Sequence, residues 1–305
     1  MRLLCVVALA VGLCGHPGAS SAQVSANRES LATESQATES LSQGPQAQPE
    51  AQPLAEPLAQ PLAQRQFAED LLAQVGSGEA ARSSASAPHK TVVELFTSQG
   101  CSSCPAADAL LRRLAERDDT IALSLSVDYW DYLGWKDTLA NPKFTERQRA
   151  YARARGDGAI YTPQLVVNGV VHVNGSDEGQ IARAIDRTER TLSFVPVRLH
   201  EEEGKLIVEA GGLPRGVAGK DATIWLAVVA GSVEVPIQRG ENQGRTITYY
   251  NVVRDLMPVG KWSGRPVTLE LARAGLTRPG AESCAVLLQQ GHTGPIIGAA
   301  LMKGF

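Results

Sequence analysis

The stretch TSQGCSSCPAADALLRRLAERD, residues 97–118, places two cysteines two residues apart, directly before a helical pattern. Cys104, Ala107, Leu111 and Leu114 recur at intervals of three and four residues, which predicts one apolar stripe along a helix. The cysteine pair is therefore expected at the start of this helix.

The segments around this helix predict a mixed α/β unit. TVVELFT, residues 91–97, and TIALSLSV, residues 120–127, are apolar and rich in β-branched residues, which is typical of strands. Together with the helix they form a βαβ unit, whose crossover is expected to be right-handed. After a helical insertion, Asn168-Gly169 indicates a hairpin, and the apolar spacing of DEGQIARAIDRTER predicts a closing helix.

The chain divides into four parts of different composition. Residues 1–22 have an arginine, a short apolar run and then small residues, which is typical of a secretory signal peptide. Residues 23–89 are rich in Ala, Gln, Pro, Ser and Glu, which predicts a disordered spacer. Residues 90–190 contain the α/β unit. Residues 191–305 alternate short apolar runs with Gly- or Pro-containing turns, which predicts an antiparallel all-β domain, with a sandwich favoured over a barrel.

The composition excludes some functions. A net charge of −3 gives no support for a nucleic-acid partner. No run of about 18 apolar residues is present, so no transmembrane helix is predicted. Cleavage of the signal peptide would leave Cys101, Cys104 and Cys284, too few for a disulfide framework, so we expect an exported protein held together by its hydrophobic core.

The cysteine pair has three interpretations. In the first, the pair is a working redox pair, because the free N–H groups and the dipole of a helix start favour a thiolate. Cys101 would attack a substrate disulfide, and the more buried Cys104 would resolve the mixed disulfide. A structural disulfide between the two closes a very short loop and would stabilise the fold by about 2 kcal/mol only. A zinc site needs about four ligands, and the remaining Cys284 and scattered histidines lack ligand spacing. Copper(I), bound by the soft thiolates, stays open.

The order of elements, with CxxC at the start of the first helix, resembles the thioredoxin fold over residues 91–190. The segments VVELFTSQGCSSCPAADALL, VDYWDYLGWKD and RGENQGRTITYYNVVRDL also resemble an uncharacterised family of predicted secreted thioredoxin-like proteins. That family implies the fold and export, and it implies no activity.

The resemblance implies further site residues. In thioredoxin-like proteins the proline before the hairpin strand is cis and packs beside CxxC, which assigns Thr162 and Pro163 to the substrate site. An ordinary trans proline at the first residue of a strand is the alternative. Such proteins also bury an acid that moves protons for the deeper cysteine, which implies this role for Glu94. A solvated or edge glutamate is its alternative, because Glu94 could point to the other face.

Other side chains extend this candidate site. VDYWDYLGW follows the second strand, at the sheet edge where open α/β folds usually bind ligands. Asp128, Trp130 and Trp135 are therefore candidates for an aromatic, acidic wall, and the alternative is a small core of the insertion itself. Residues 239–256 favour a polar hairpin, with a contact to the redox part as the alternative. Cys284 is predicted to be a buried core thiol.

These features predict an exported thiol–disulfide oxidoreductase, periplasmic or extracellular, that acts on protein thiols through Cys101 and Cys104. Its partners would be a protein thiol or disulfide and a separate redox partner. No organic cofactor and no metal is required, because the cysteines carry the electrons. Two alternatives stay open: a non-catalytic binding or scaffold protein with an inert CxxC disulfide, and a copper(I) metallochaperone.

Overall fold

The protein is described by a computed structural model that covers residues 89–214 and 221–305. The predicted signal peptide, residues 1–22, and residues 23–88 of the predicted spacer lie outside the described residues. Within the described part, no helix is both long enough and apolar enough to cross a membrane.

Three α-helices and eleven strands make up the described chain. The helices are α1, Cys104–Ala115, α2, Pro142–Arg155, and α3, Glu178–Thr191. The strands in chain order are β1 Thr91–Thr97, β2 Thr120–Ser126, β3 Gln164–Val167, β4 Val171–Asn174, β5 Val197–Glu202, β6 Lys205–Ala210, β7 Ala222–Pro236, β8 Thr246–Trp262, β9 Val267–Ala272, β10 Ser283–Gln290 and β11 Ile296–Lys303. Short 3-10 turns lie at Asp131–Leu133 and Arg273–Gly275.

Local sequence explains how the helices begin and end. The side chain of Asn141 accepts the N–H of Lys143 at the start of α2, and α2 ends at Gly156, whose φ of 79° is left-handed. Helix α1 differs, because Ser103 makes no side-chain cap bond, although Pro105 is accommodated in the first turn. The start of the cysteine helix therefore has backbone N–H groups without a side-chain cap.

Eight strands form one mixed sheet in the order β11-β10-β7-β8-β2-β1-β3-β4. β1 pairs in parallel with β2 across α1 and antiparallel with β3, which pairs antiparallel with β4. The pairs β7–β8, β7–β10 and β10–β11 are antiparallel. The structure confirms the predicted α/β part and the antiparallel strands that follow it.

The large sheet continues past residue 190, where the sequence predicted the start of a separate β domain. β8 runs in parallel beside β2, with Ser124 opposite Val252. β5, β6 and β9 form a separate three-stranded antiparallel sheet. Its Leu206 shares a core with Leu226 of the large sheet, so the C-terminal half has two layers there.

β1 is buried along its whole length and separates two cores. Val93 and Leu95 pack with α1 and α3 on one face. Val92 and Phe96 pack with α2 on the other face. Because side chains alternate along a strand, Glu94 lies on the α2 face. The cysteine helix lies on the opposite face from Glu94.

Candidate functional site

Cys101 and Cys104 form a disulfide, with their Cα atoms 5.4 Å apart. We call residues 98–103 the cysteine turn, since they join β1 to α1 and Cys104 is the first residue of that helix. Both cysteines have 0% of their surface exposed, whereas Ser102 and Ser103 between them are exposed. The disulfide therefore lies just beneath the surface.

The Thr162–Pro163 peptide bond is cis, as the resemblance implied, and it directly precedes β3. Gly175, whose N–H donates to the Pro163 oxygen at 3.0 Å, lies between this bond and α1. A Cβ at Gly175 would lie 3.2 Å from Cβ of Pro163 and 3.1 Å from Cβ of Ala107. The absence of a side chain there lets Pro163 approach the first turn of the cysteine helix.

Two tryptophans of the insertion contact the same region. Trp130 Nε1 donates to the Thr162 hydroxyl at 2.8 Å, and its Cβ would lie 3.0 Å from a Cβ at Gly100. Trp135 Nε1 donates to the side-chain oxygen of Gln99 at 2.8 Å. The structure thus brings both predicted aromatic residues and Thr162 to the cysteine turn.

Asp128 is placed differently. Its carboxylate accepts the Thr145 hydroxyl of α2 at 2.6 Å, and its N–H donates to the same hydroxyl oxygen at 3.2 Å. Within residues 89–214 and 221–305, no hydrogen bond joins Asp128 to the cysteine turn. Asp128 is therefore tied to α2 rather than to the disulfide.

The structure does not bring Glu94 to the cysteines. Glu94 is fully buried on the α2 face of β1, where Arg147 Nε donates to it at 2.6 Å. The Tyr151 hydroxyl also donates to Glu94. Gln289 of β10 contacts both partners, accepting from Arg147 at 3.1 Å and donating to Tyr151 at 2.9 Å. Glu94 therefore belongs to a complete polar network that joins β1, α2 and β10.

Asp108 is a buried acid on the cysteine side that the sequence pattern did not single out. It follows Cys104 by four residues on α1, and so lies on the same side of the helix, with 3% of its surface exposed. Neither carboxylate oxygen has a hydrogen-bond partner in the described part of the chain. Burial raises its pKa from 3.8 to about 7, and the neighbouring Asp137 adds to this rise. Thr97, whose side chain lies beside the carboxyl, opposes this rise more than Asp137 adds to it.

Asp108 has polar neighbours that are themselves buried. Asp137 accepts the N–H groups of Gln99 and Leu139 at 2.8 Å each, and burial raises its pKa. Burial also raises the pKa of Tyr249, and Asp108 adds to this increase. The Tyr249 hydroxyl has no partner among the described residues. A buried acidic cluster thus lies behind the cysteine turn.

A cavity of about 510 Å³ lies between α1 and the start of β8, and Asp108 is one of its lining residues. Its lining includes Pro105, which directly follows Cys104, and Arg245, which precedes β8. The cavity therefore runs along α1 from the residue after the second cysteine past Asp108, whose carboxylate oxygens are themselves buried.

The β7–β8 loop, residues 237–245, reaches the cysteine turn from the C-terminal half of the chain. Asn242 Nδ2 donates to the backbone oxygens of Gln99, at 3.0 Å, and Cys101, at 2.8 Å. The segment predicted as a polar hairpin therefore contacts the cysteine turn, which was the alternative prediction.

Two more residues of this loop contact the turn. The Glu241 carboxylate accepts the Ser102 N–H at 3.0 Å. Gly240 has a φ of 83°, and a Cβ there would lie 4.0 Å from Cα of Gly100. Together with Asn242, these contacts give every residue from 99 to 102 a neighbour in the loop.

Cys284 is a free, buried thiol on β10, as predicted. Burial raises its pKa to about 12, which makes it a poor nucleophile near neutral pH. Among residues 89–214 and 221–305, no group of three or more His, Cys, Asp or Glu side chains is arranged to hold a metal ion.

Residues 92–289 match the family described as "Protein of unknown function (DUF1223)". The chain belongs to this family. The segment matched to DUF1223 begins in β1 and ends in β10, and it includes both the cysteine turn and the β7–β8 loop. Among curated proteins, none matches the chain.

Two solved structures are similar to this DUF1223 member. A crystal structure of an Agrobacterium tumefaciens protein, a structural genomics target, has 36% sequence identity and a TM-score of 0.64 over 72% of this chain and 96% of that one. HBP35 of Porphyromonas gingivalis has 12% identity and a TM-score of 0.50 over 71% of this chain and 75% of its own. At that identity the second likeness concerns the fold alone.

Proposed function

We propose that this protein is a thiol–disulfide oxidoreductase whose working pair is Cys101 and Cys104 and whose substrates are protein thiols or disulfides. The observation that carries the proposal is the disulfide at the start of α1, a helix whose first turn packs with Pro163 around Gly175. The strand order β2-β1-β3-β4, with α1 and α3 on one face, supports a thioredoxin-like fold for this part. A thiolate at this helix start is stabilised by the positive end of the helix dipole.

Exchange consists of two substitutions at sulfur. A substrate thiolate attacks Cys101 Sγ, a mixed disulfide forms as the Cys101–Cys104 bond breaks, and Cys104 leaves as a thiolate that takes up a proton. A second substrate thiolate then attacks the substrate sulfur of the mixed disulfide and releases Cys101 as a thiolate. The substrate has lost two electrons to the cysteine pair. The reverse sequence reduces a substrate disulfide.

In this proposal Asp108 exchanges the proton with Cys104. Asp108 lies one helical turn beyond Cys104, and its pKa of about 7 permits both protonation states near neutral pH. Asp108 also lines the cavity between α1 and β8, which is the route proposed for restoring the proton from solvent. Glu94, to which the resemblance gave this role, lies on the other face of β1 and is held by Arg147.

The substrate segment is proposed to lie along Thr162 in an extended conformation. Trp130 and Trp135 contribute an aromatic wall, because Trp130 donates to Thr162 and Trp135 donates to Gln99 of the cysteine turn. Asp128 lies farther toward α2 and contributes charge at the margin of this surface. Tryptophan side chains give large contact areas with little loss of conformational entropy.

The protein is proposed to act outside the cytoplasm, in the periplasm or extracellularly. The signal-peptide pattern of residues 1–22 and the disulfide both fit an oxidising compartment. A second redox partner is required, because each exchange leaves the cysteine pair in the opposite oxidation state.

A scaffold protein with an inert disulfide is the second candidate, and one observation favours it. Neither Cys101 nor Cys104 has exposed surface. Thiol–disulfide exchange depends on access to the attacked sulfur, so the two candidates differ in whether that access is ever gained.

Insulin reduction and the refolding of scrambled disulfide-bonded protein test the proposal on the full chain. We expect the wild type to be active in at least one assay and Cys101→Ser to lose more than 99% of that activity, because no bond to the substrate forms without Cys101. Cys284→Ala is the control and should keep wild-type activity. Equal activity of wild type and Cys101→Ser would favour the inert disulfide.

A further inference from the structure

We infer that the β7–β8 loop covers the disulfide and that Asn242 and Glu241 restrict access to Cys101 to extended protein segments. The inference rests on the proposed exchange function. The covering residues come from far along the chain, since Asn242 lies 141 residues from Cys101. The cover is therefore supplied by the C-terminal half of the large sheet.

Asn242 is the central contact of the cover. Its side chain is buried, with 1% of its surface exposed, and its amide donates to two carbonyl groups of the cysteine turn. Its own oxygen accepts from Arg245 Nη1 at 3.0 Å, so its hydrogen-bonding groups are all engaged within the site. The loop can leave the turn only when both bonds to the carbonyls of Gln99 and Cys101 break, which exposes polar groups that need new partners.

Glu241 acts on the charge of the site. Its carboxylate accepts the N–H of Ser102, the residue that directly follows Cys101. Hydrogen bonding to Ser102 lowers the pKa of the Glu241 carboxyl. The N–H is then occupied, and a negative charge lies next to the place where the Cys101 thiolate would form. Both effects disfavour the thiolate. The loop in place therefore keeps the disulfide oxidised as well as covered.

The hydrogen bonds between the β7–β8 loop and the cysteine turn indicate which kind of partner can replace the loop. The turn offers two carbonyl oxygens and one N–H to the loop. An extended polypeptide presents N–H and C=O groups in alternation and can take over all three bonds. A small thiol such as dithiothreitol has no N–H or C=O groups and cannot take over these bonds. The closed loop thus selects protein segments against small thiols.

The rate of disulfide reduction by dithiothreitol tests this inference. Full-length proteins are incubated at pH 7, quenched by alkylation at intervals and examined by mass spectrometry. We expect Asn242→Ala to be reduced at least tenfold faster than the wild type, because the cover opens more often. Val208→Ala, in the core of the small sheet, is the control for general destabilisation and should react at the wild-type rate.

Glu241→Gln tests the charge effect separately, because glutamine keeps an acceptor for the Ser102 N–H. We expect a lower thiol pKa for Cys101 and an equilibrium with glutathione shifted at least threefold toward the dithiol, which is about 14 mV for a two-electron couple. Glu202→Gln removes the same charge from β5 and should leave the equilibrium unchanged.

The outcomes separate this inference from the function on which it rests. If dithiothreitol reduces Asn242→Ala and the wild type at the same rate, the loop does not restrict access and the inference is wrong. The exchange function would still stand in that case, because both proteins are reduced. If neither protein is reduced, the exchange function itself is contradicted. Should Asn242→Ala fail to fold, Glu241→Ala at an exposed position repeats the test. An unchanged rate in that variant overturns the inference equally.

Discussion

Glu94 and Asp108 are buried carboxylic acids on opposite sides of the same sheet, and their surroundings differ. Glu94 is bound by Arg147 and Tyr151. Asp108 has no hydrogen-bond partner in the described chain and a pKa raised to about 7. A buried acid with a full set of partners anchors a fold, whereas a buried acid without partners destabilises it and is poised to exchange a proton. This difference supports a structural role for Glu94 and the proton-exchange role that we propose for Asp108.

The Glu94 network also connects the two halves of the chain. Arg147 of α2 contacts Glu94 on β1 and Gln289 on β10. Its guanidinium carbon lies 5.3 Å from the ring centre of Trp225 on β7, within the range of cation–π attraction. The loss of this one side chain should therefore affect the whole large sheet.

The largest expected effect is that of Arg147→Met. We expect a loss of about 3–5 kcal/mol in the free energy of unfolding, because Glu94 is left buried without its counter-charge. Urea unfolding at pH 7, followed by circular dichroism, measures it. Arg153→Met, which removes an exposed partner of Glu146 at 3.5 Å, is the control and should lose less than about 1 kcal/mol.

The double variant Glu94→Gln/Arg147→Met sharpens this result. It should be more stable than Arg147→Met alone, since no unpaired charge remains in the core. A single variant as stable as the wild type would show that Glu94 does not depend on Arg147, and the structural assignment of this side would fail.

A smaller effect of opposite sign is expected for Asp108→Asn. The folded-state pKa of about 7 lies above the reference value of 3.8, so the folded protein holds this proton more tightly and its stability falls as pH rises from about 4 to about 7. The variant lacks this decline and should gain stability at pH 8, by at most about 4 kcal/mol. Unfolding at pH 5 and pH 8 measures the difference. Asp118→Asn, at an exposed position, should change neither value.

The same variant should slow exchange. At pH 7 we expect Asp108→Asn to reduce the rate of disulfide exchange at least tenfold, because Cys104 loses its proton partner. Glu94→Gln should stay within twofold of the wild type when both are measured well below their unfolding temperatures. Equal slowing by the two variants would break the comparison between the two acids.

Local pattern predicted the parts of this fold that depend on local physics. The periodicity around Cys104 predicted α1, which buries one face, and the β-branched run 91–97 predicted β1, which is buried on both faces. The place of Glu94 required knowledge of which face of β1 carries α1, and that is a tertiary fact. Cys284 was predicted to be buried because its segment reads as an apolar strand, and its thiol is buried.

Other features had no local signal. The sheet continues across residue 190 because β8 pairs with β2, at Ser124 and Val252, and pairing over such a separation has no periodic signature. The contact of Asn242 with Cys101 is equally distant in sequence. Asp108 did have a signal, a carboxylate four residues after Cys104 on the buried side of α1, but its lack of partners appears only in three dimensions.

We propose above all that Cys101 and Cys104 exchange electrons with other thiols. Equilibration of the full-length protein in a series of glutathione redox buffers, followed by alkylation and mass spectrometry, tests it directly. We expect conversion between disulfide and dithiol as one two-electron couple, with a tenfold change in ratio for about 30 mV. A pair that remains a disulfide in every buffer in which the protein is folded would contradict it.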